Sequence, residues 1–284
     1  MKTIRTLAIT GILFSELGIG TSSQLPVINF PLVPLVPPSP PSSLLSDAKL
    51  QFISPLSAQS DLDGEQEGRP PNRTSGGSRS PCLEQLVALV PGKGTIDAQV
   101  GNCATESQSS LALTLAETPT FWFYLPEQST SELAAEFVLL EGDRLIYKQQ
   151  IPLTGTPGVI SIRPNQSLET NKRYRWVFSI LVNPQRPSQN PAVEGLIQRI
   201  EPDSTLSSQL KAATTEQERI AIYIQNGIWH DALTGLGKLY SANPGDSHLL
   251  ADWSSLLGSV GLGAIAQIPI VDCCTWARSS LGVR

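Results

Sequence analysis

The chain uses two hydrophobic periods, and the point where one gives way to the other divides it. Between residues 111 and 200, short apolar runs separated by turn residues read as the strands of an antiparallel β domain. Period two is clearest in the run 174–180. There Tyr174, Trp176, Phe178 and Ile180 fall on one face, and Arg175, Val177 and Ser179 on the other. The run 120–126, Thr-Phe-Trp-Phe-Tyr-Leu-Pro, is apolar through its middle. These two runs hold much of the aromatic content, and aromatic side chains give a core its largest burial per residue. Residues 86–91, 111–115 and 157–164 add three shorter strand-like runs. Residues 136–141 and 144–151, on either side of Gly142-Asp143, predict a β-hairpin. Leu168 followed by Tyr174 at a strand entry predicts a tyrosine corner, in which the phenolic hydroxyl ties a loop to the strand. The helical patterns that crossovers need are missing between the strands. The predicted fold is therefore an antiparallel Greek-key-type β-sandwich, mainly β with an α-helical tail.

After Pro202 the period becomes helical. Residues 205–211 and 215–226 read as helices, the second opening on a capping box of Thr215 and Glu218 and carrying a stripe of Ile220, Tyr223 and Ile224. Two further helical runs, one through Trp229, Leu233, Leu236 and Leu239 and one through Leu249, Trp253 and Leu257, flank an Asn243-Pro244-Gly245-Asp246 turn. This hairpin resembles a single tetratricopeptide-like unit. One such unit cannot form a solenoid, so it is expected to pack against, or cap, its own domain.

The N-terminal part is poor core material. Lys2 and Arg5 precede an apolar run over 7–19 and small residues near Gly20 and Ser22, the pattern of an export signal over residues 1–22, with Glu16 interrupting it. The run is shorter than the roughly 20 apolar residues a membrane span needs. Residues 23–81 then read as linker. Prolines between 26 and 41 favour an extended tether, and an acidic stretch of Asp61, Asp63, Glu65 and Glu67 gives way to Arg69, Arg73 and Arg79 among Gly and Ser. The expected organisation continues with the β-sandwich over 82–202, the helical hairpin region over 203–262 and a C-terminal tail over 263–284.

Charge and chemistry narrow the function classes. A net charge of −5 argues against nucleic-acid binding by phosphate neutralisation. Ser208 and Lys211 match the Ser-x-x-Lys spacing of penicillin-binding enzymes but lack the companion elements, so an exposed helix face is the reading preferred. Gly92-Lys93-Gly94-Thr95 is no P-loop. His230 and Asp231 are adjacent on a helix and so point in different directions, which makes a dyad unexpected and leaves His230 as a surface or hairpin-packing residue. Cys273 and Cys274 with His230 and His248 lack metal-ligand spacing. The sequence predicts no catalytic residue, no cofactor and no metal.

Four cysteines are present. In an oxidising compartment Cys82 and Cys103 could close a loop at the start of the β domain. The neighbours Cys273 and Cys274 could bond to each other, stay free or pair between chains. Outward strand positions, Trp122 and Arg175 among them, are the candidate binding surface, and Trp122 is equally placed to be core on the second sheet.

A succession of motifs adds a family. It runs from Gly76-Gly77-Ser78-Arg79, through Cys82 with the apolar run 86–91, to Pro119-Thr120-Phe121-Trp122-Phe123-Tyr124 with Pro126. Tyr174-Arg175-Trp176-Val177-Phe178-Ser179 and Asn183-Pro184 complete it. This order resembles the cyanobacterial domain-of-unknown-function family 928 over roughly residues 76–257. The resemblance implies an exported protein with no assigned activity. In that family the strand before the Asn-Pro pair usually carries a cysteine. Val182 stands there in this chain, so Cys82 loses that possible partner.

The expectation is an exported, periplasmic or extracellular protein that acts as a non-catalytic binding or adaptor module of the cell envelope. It would contact an envelope protein or polysaccharide, with no nucleic acid and no integral membrane span after signal cleavage. The alternative is a hydrolase acting on an envelope polymer, which rests on Ser208 and Lys211.

Overall fold

A computed structural model describes residues 50–54, 72–75, 84–92, 109–126, 133–153, 155–183 and 185–273. Among them are two sheets and four α-helices, the mainly β fold with a helical tail that the two hydrophobic periods predict. The strands are β1 Val87–Ala88, β2 Leu111–Thr114, β3 Phe121–Leu125, β4 Ala134–Glu141, β5 Arg144–Pro152, β6 Gly158–Ile162, β7 Arg173–Leu181 and β8 Ala192–Arg199. The helices are α1 Ser204–Ala212, α2 Glu216–Gln225, α3 Trp229–Ala242 and α4 Ser247–Ser259.

One sheet has the order β1-β3-β6 and the other β2-β8-β7-β4-β5. Every pairing between named strands is antiparallel except β2 with β8, which run parallel, Leu111 opposite Leu196. The β4–β5 hairpin turns at Gly142, whose φ of 57° a residue without a Cβ adopts at no steric cost. The tyrosine corner is formed, with the Glu169 N–H donating to the Tyr174 hydroxyl at 3.1 Å.

Period two in β3 explains the layering. Phe121, Phe123 and Leu125 point between the sheets, where Phe123 stacks on Phe178 at 4.0 Å and Phe121 meets Phe137 at 4.8 Å. Trp122 and Tyr124 point the other way, into a second core shared with Trp229, Leu233, Trp253 and Leu256 of α3 and α4. A strand apolar on both faces belongs to a sheet covered on both faces. The molecule is accordingly a sandwich with a helical layer laid over the outer face of its smaller sheet. The helical hairpin packs on its own domain.

The folded part reaches into the stretch that composition assigns to linker. Thr74 bridges Val87, the Ala88 N–H donates to Arg73 O at 2.8 Å, and Arg73 is fully buried. Its Nη1 donates to the carbonyls of Val90 at 3.2 Å and Val260 at 2.7 Å, joining β1's continuation to the end of α4. Leu50 lies in the helical-side core, and Phe52 meets the Trp229 ring edge-on at 4.8 Å.

Candidate functional site

Three pieces of the chain meet at one end of the sandwich. The end of β2 and the β2–β3 connection supply residues between Thr114 and Thr120, Arg163 follows β6, and the facing sides of α2 and α3 supply Glu216, Tyr223 and residues between His230 and Lys238. Between them lies a cleft of about 200 Å³. Helix α2 starts on the predicted capping box, Thr215 accepting from the Glu218 N–H while the Glu218 carboxylate accepts from Thr215 N. Helices α2 and α3 approach closely at the cleft because Gly235 has no side chain: a Cβ there would stand 2.8 Å from Ile220 Cγ1.

His230 and Asp231 open α3, whose N-cap Ile228 offers no side-chain cap. Each reaches a different part of the β2–β3 connection. Asp231 Oδ2 accepts from the Thr114 hydroxyl at 2.7 Å and from the Leu115 N–H at 3.0 Å, and Thr114 Oγ1 in turn accepts from the Ala116 N–H. Burial pushes the Asp231 carboxyl above its ordinary range, and those hydrogen bonds offset part of the rise. His230 is 2 % exposed; its Nδ1 lies 3.2 Å from Thr120 O, and its ring meets Phe121 edge-on. Because a carbonyl can only accept, Nδ1 carries the proton and the unpartnered, buried Nε2 is a bare lone pair. Burial lowers the His230 pKa to about 4. The two neighbours form no dyad, as helix geometry predicts. Yet His230 lies neither on the surface nor inside the hairpin: it is pressed against the end of β3.

The cations of the cleft are held differently. Arg163 donates from Nε to Thr118 O at 3.0 Å and from Nη2 to Thr118 Oγ1 at 2.6 Å, so its guanidinium plane is fixed while the side chain stays exposed. Lys238 is exposed on α3. Neither cation meets a carboxylate among the described residues. Thr234 lines the same cleft and accepts from the Trp122 indole N–H at 3.2 Å.

Apart from His230 and Asp231, the residues that sequence patterns single out do not line the cleft. Trp122 is 4 % exposed, so it is a core residue of the helical side and presents no outward contact surface. Arg175 does face outward on β7, where its Nε donates to Glu194 across the β7–β8 pair at 3.2 Å. Cys273 is disulfide-bonded and packs against the core between the sheets; Cys82, Cys103 and Cys274 lie outside the described residues. Ser208 is exposed, and its hydroxyl donates to Ser204 O of its own helix at 2.8 Å. No group of three or more His, Cys, Asp or Glu that could hold a metal occurs among the described residues. No helix among them is long and apolar enough to cross a membrane.

Sequence reasoning passes over the cleft because its parts lie more than a hundred positions apart, from Thr114 to Lys238. The one local signal was the polar pair His230-Asp231 at the start of an otherwise apolar helix.

A two-sheet sandwich with helices over one face, closed at one end by a polar cleft, defines a class of architecture and no activity. The chain matches the family described as Domain of Unknown Function (DUF928) over residues 74–270, more than half its length, and belongs to that family. No curated protein matches it.

Proposed function

We propose that the protein is an exported, non-catalytic binding module of the cell envelope, and that the cleft between the β2–β3 connection and helices α2 and α3 is its contact site. The observation that carries this reading is the pair of exposed cations, Arg163 and Lys238, that border a polar cleft and meet no carboxylate among the described residues. The buried polar pair of the cleft, His230 and Asp231, is engaged in holding the fold. Asp231 is occupied by Thr114 and Leu115, and the buried Thr114 hydroxyl is in turn spent on that carboxylate. The Cys273 disulfide supports export, since such bonds persist in oxidising compartments. The charged leader, apolar run and proline-rich stretch of the sequence fit the same destination.

Fractionation of the native host with intact-mass analysis tests the compartment. The expected result is a mature chain lacking roughly the first 20 residues, found outside the cytoplasm, with Cys273 oxidised. A full-length, reduced chain in the cytosol would overturn the export reading.

A further inference from the structure

The proposed binding role leaves open what enters the cleft, and the placement of charge there selects a chemistry. We propose that the cleft binds the carboxylate-bearing ring of an acidic sugar, Arg163 and Lys238 taking the carboxylate and Glu216, Tyr223 and the cleft threonines taking the ring hydroxyls. This rests on the binding-module reading of the same site.

Size is the first constraint. A volume of about 200 Å³ corresponds to roughly seven water molecules, room for one six-membered ring with its substituents, the neighbouring rings of an oligosaccharide lying outside. Charge is the second. Two exposed cations, neither paired with a carboxylate among the described residues, ask for an anion, while Glu216 and Asp231 line the same space. A doubly charged phosphate would be repelled by those carboxylates more strongly than a monoanion, and the exposed Glu216 can accept hydroxyl protons.

Geometry is the third. Thr118 uses Nε and Nη2 of Arg163 and so fixes the guanidinium plane, leaving Nη1 without a partner among the described residues. A fixed planar donor suits a planar carboxylate, and the flexible ammonium of Lys238 can close on its second oxygen. The remaining lining, the half-buried Tyr223 phenol, the Thr120 and Thr234 hydroxyls and the Glu216 carboxylate, mixes donors with acceptors. Each hydroxyl of a sugar ring is itself donor and acceptor, so such a mixture matches it. A simple dicarboxylate would leave Glu216 facing a like charge.

The test is calorimetric titration of the full-length mature protein with galacturonate trisaccharide and with its neutral galactose counterpart, on the unaltered chain and on Lys238→Gln. The charged trisaccharide is expected to bind and the neutral one to bind at least about tenfold more weakly, the loss of one charge-assisted contact. Lys238→Gln, at an exposed position, is expected to leave the melting temperature unchanged and to remove a similar factor for the charged ligand alone. Equal binding of both trisaccharides, or indifference to Lys238→Gln, would overturn the acidic-sugar assignment and leave the binding module standing. Binding of neither would overturn both the assignment and the cleft's role as the contact site.

Discussion

The Thr114 hydroxyl donates to Asp231 Oδ2 at 2.7 Å, and through that bond the first turn of α3 closes an edge of the larger sheet. Among the described strands β2 pairs only with β8, so its other side would expose unpaired backbone donors. The Leu115 N–H, just past its end, donates to the same carboxylate oxygen. Other edges are covered in kindred ways: β1 by the segment holding Arg73 and Thr74, and β6 by Pro269 and Val271, which exchange backbone hydrogen bonds with Val159. Asp231→Ala is expected to lower the unfolding free energy by about 2–3 kcal/mol, because a buried hydroxyl and an N–H lose a charged acceptor. Asp231→Asn, which keeps an acceptor, is expected to lose less. Urea unfolding of both, with Thr114→Val completing a double-mutant cycle, measures the coupling; additive effects of Asp231→Ala and Thr114→Val would show that the bond contributes nothing.

Two helical glycines should respond to alanine with opposite signs. An exposed glycine inside a helix normally weakens it, so Gly258→Ala in α4, where a Cβ meets nothing within 4 Å, is expected to stabilise the fold by about 0.5–1 kcal/mol. At Gly237 in α3 the added Cβ would stand 2.6 Å from Trp122 Cη2. That indole cannot swing away, being bonded to Thr234 and packed on Trp253. Gly237→Ala is therefore expected to destabilise by about 1–3 kcal/mol despite the gain in helix propensity. Paired thermal melts decide it, and stabilisation at both sites would mean that the helices and the smaller sheet are not in close contact.

The folded unit begins before Cys82. A chain started at residue 82 lacks Leu50 and Phe52, which cover the Trp229 side of the helical core, and Arg73, which satisfies the carbonyls of Val90 and Val260. Each buried carbonyl left without a donor costs about 1–3 kcal/mol, and the exposed apolar surface adds to that. Denaturant unfolding of chains started at residues 44 and 82 is expected to differ by on the order of 5 kcal/mol. Equal stabilities would show that the upstream segment is a passive tether.

These contrasts show what the sequence could and could not reveal. Alternation in the run 174–180 and the doubly apolar run 120–126 announce strands because burial repeats at the period of the backbone. The helices declare themselves through caps as well as stripes, Thr215 with Glu218 being the clearest. Strand β8 escapes notice because Gly195 interrupts its inward face of Val193 and Ile197. The structure supplies the reason: a Cβ at Gly195 would lie 2.3 Å from Trp176 Cζ2, so the strand gives up a side chain to seat an indole on its neighbour. Arg73 escapes because composition averages over a window, and a single buried arginine in a polar, glycine-rich stretch looks like linker. The cleft escapes for a different reason. Arg163, Lys238 and the threonines carry no spacing rule, and only the docking of α3 against the β2–β3 connection brings them together.

The docking of α3 should also give the protein an acid limit that belongs to one side chain. His230 is neutral in the fold, its pKa lowered from 6.5 to about 4 by burial against Phe121 and Thr120. Between those values the unfolded chain binds a proton that the native chain refuses. Stability therefore rises with pH across this window: the contribution is present in full above about 6.5 and is lost as the pH falls toward 4. The loss amounts to on the order of 3 kcal/mol. Asp231 on the same helix turn acts in the opposite sense. Its raised pKa makes the native state hold a proton longer than the unfolded chain, so its term falls away as the pH rises above the ordinary carboxylate range. Glu216 and Lys238 face the same cleft from α2 and α3, and Arg163 faces it from the end of β6. His230→Asn keeps a donor for Thr120 O and removes the titration. Unfolding free energies measured from pH 4 to 7 are expected to slope upward in the unaltered chain, more steeply in Asp231→Asn, and to flatten in His230→Asn. An unchanged slope in His230→Asn would show that the imidazole titrates alike in both states and that the end of β3 is open to water.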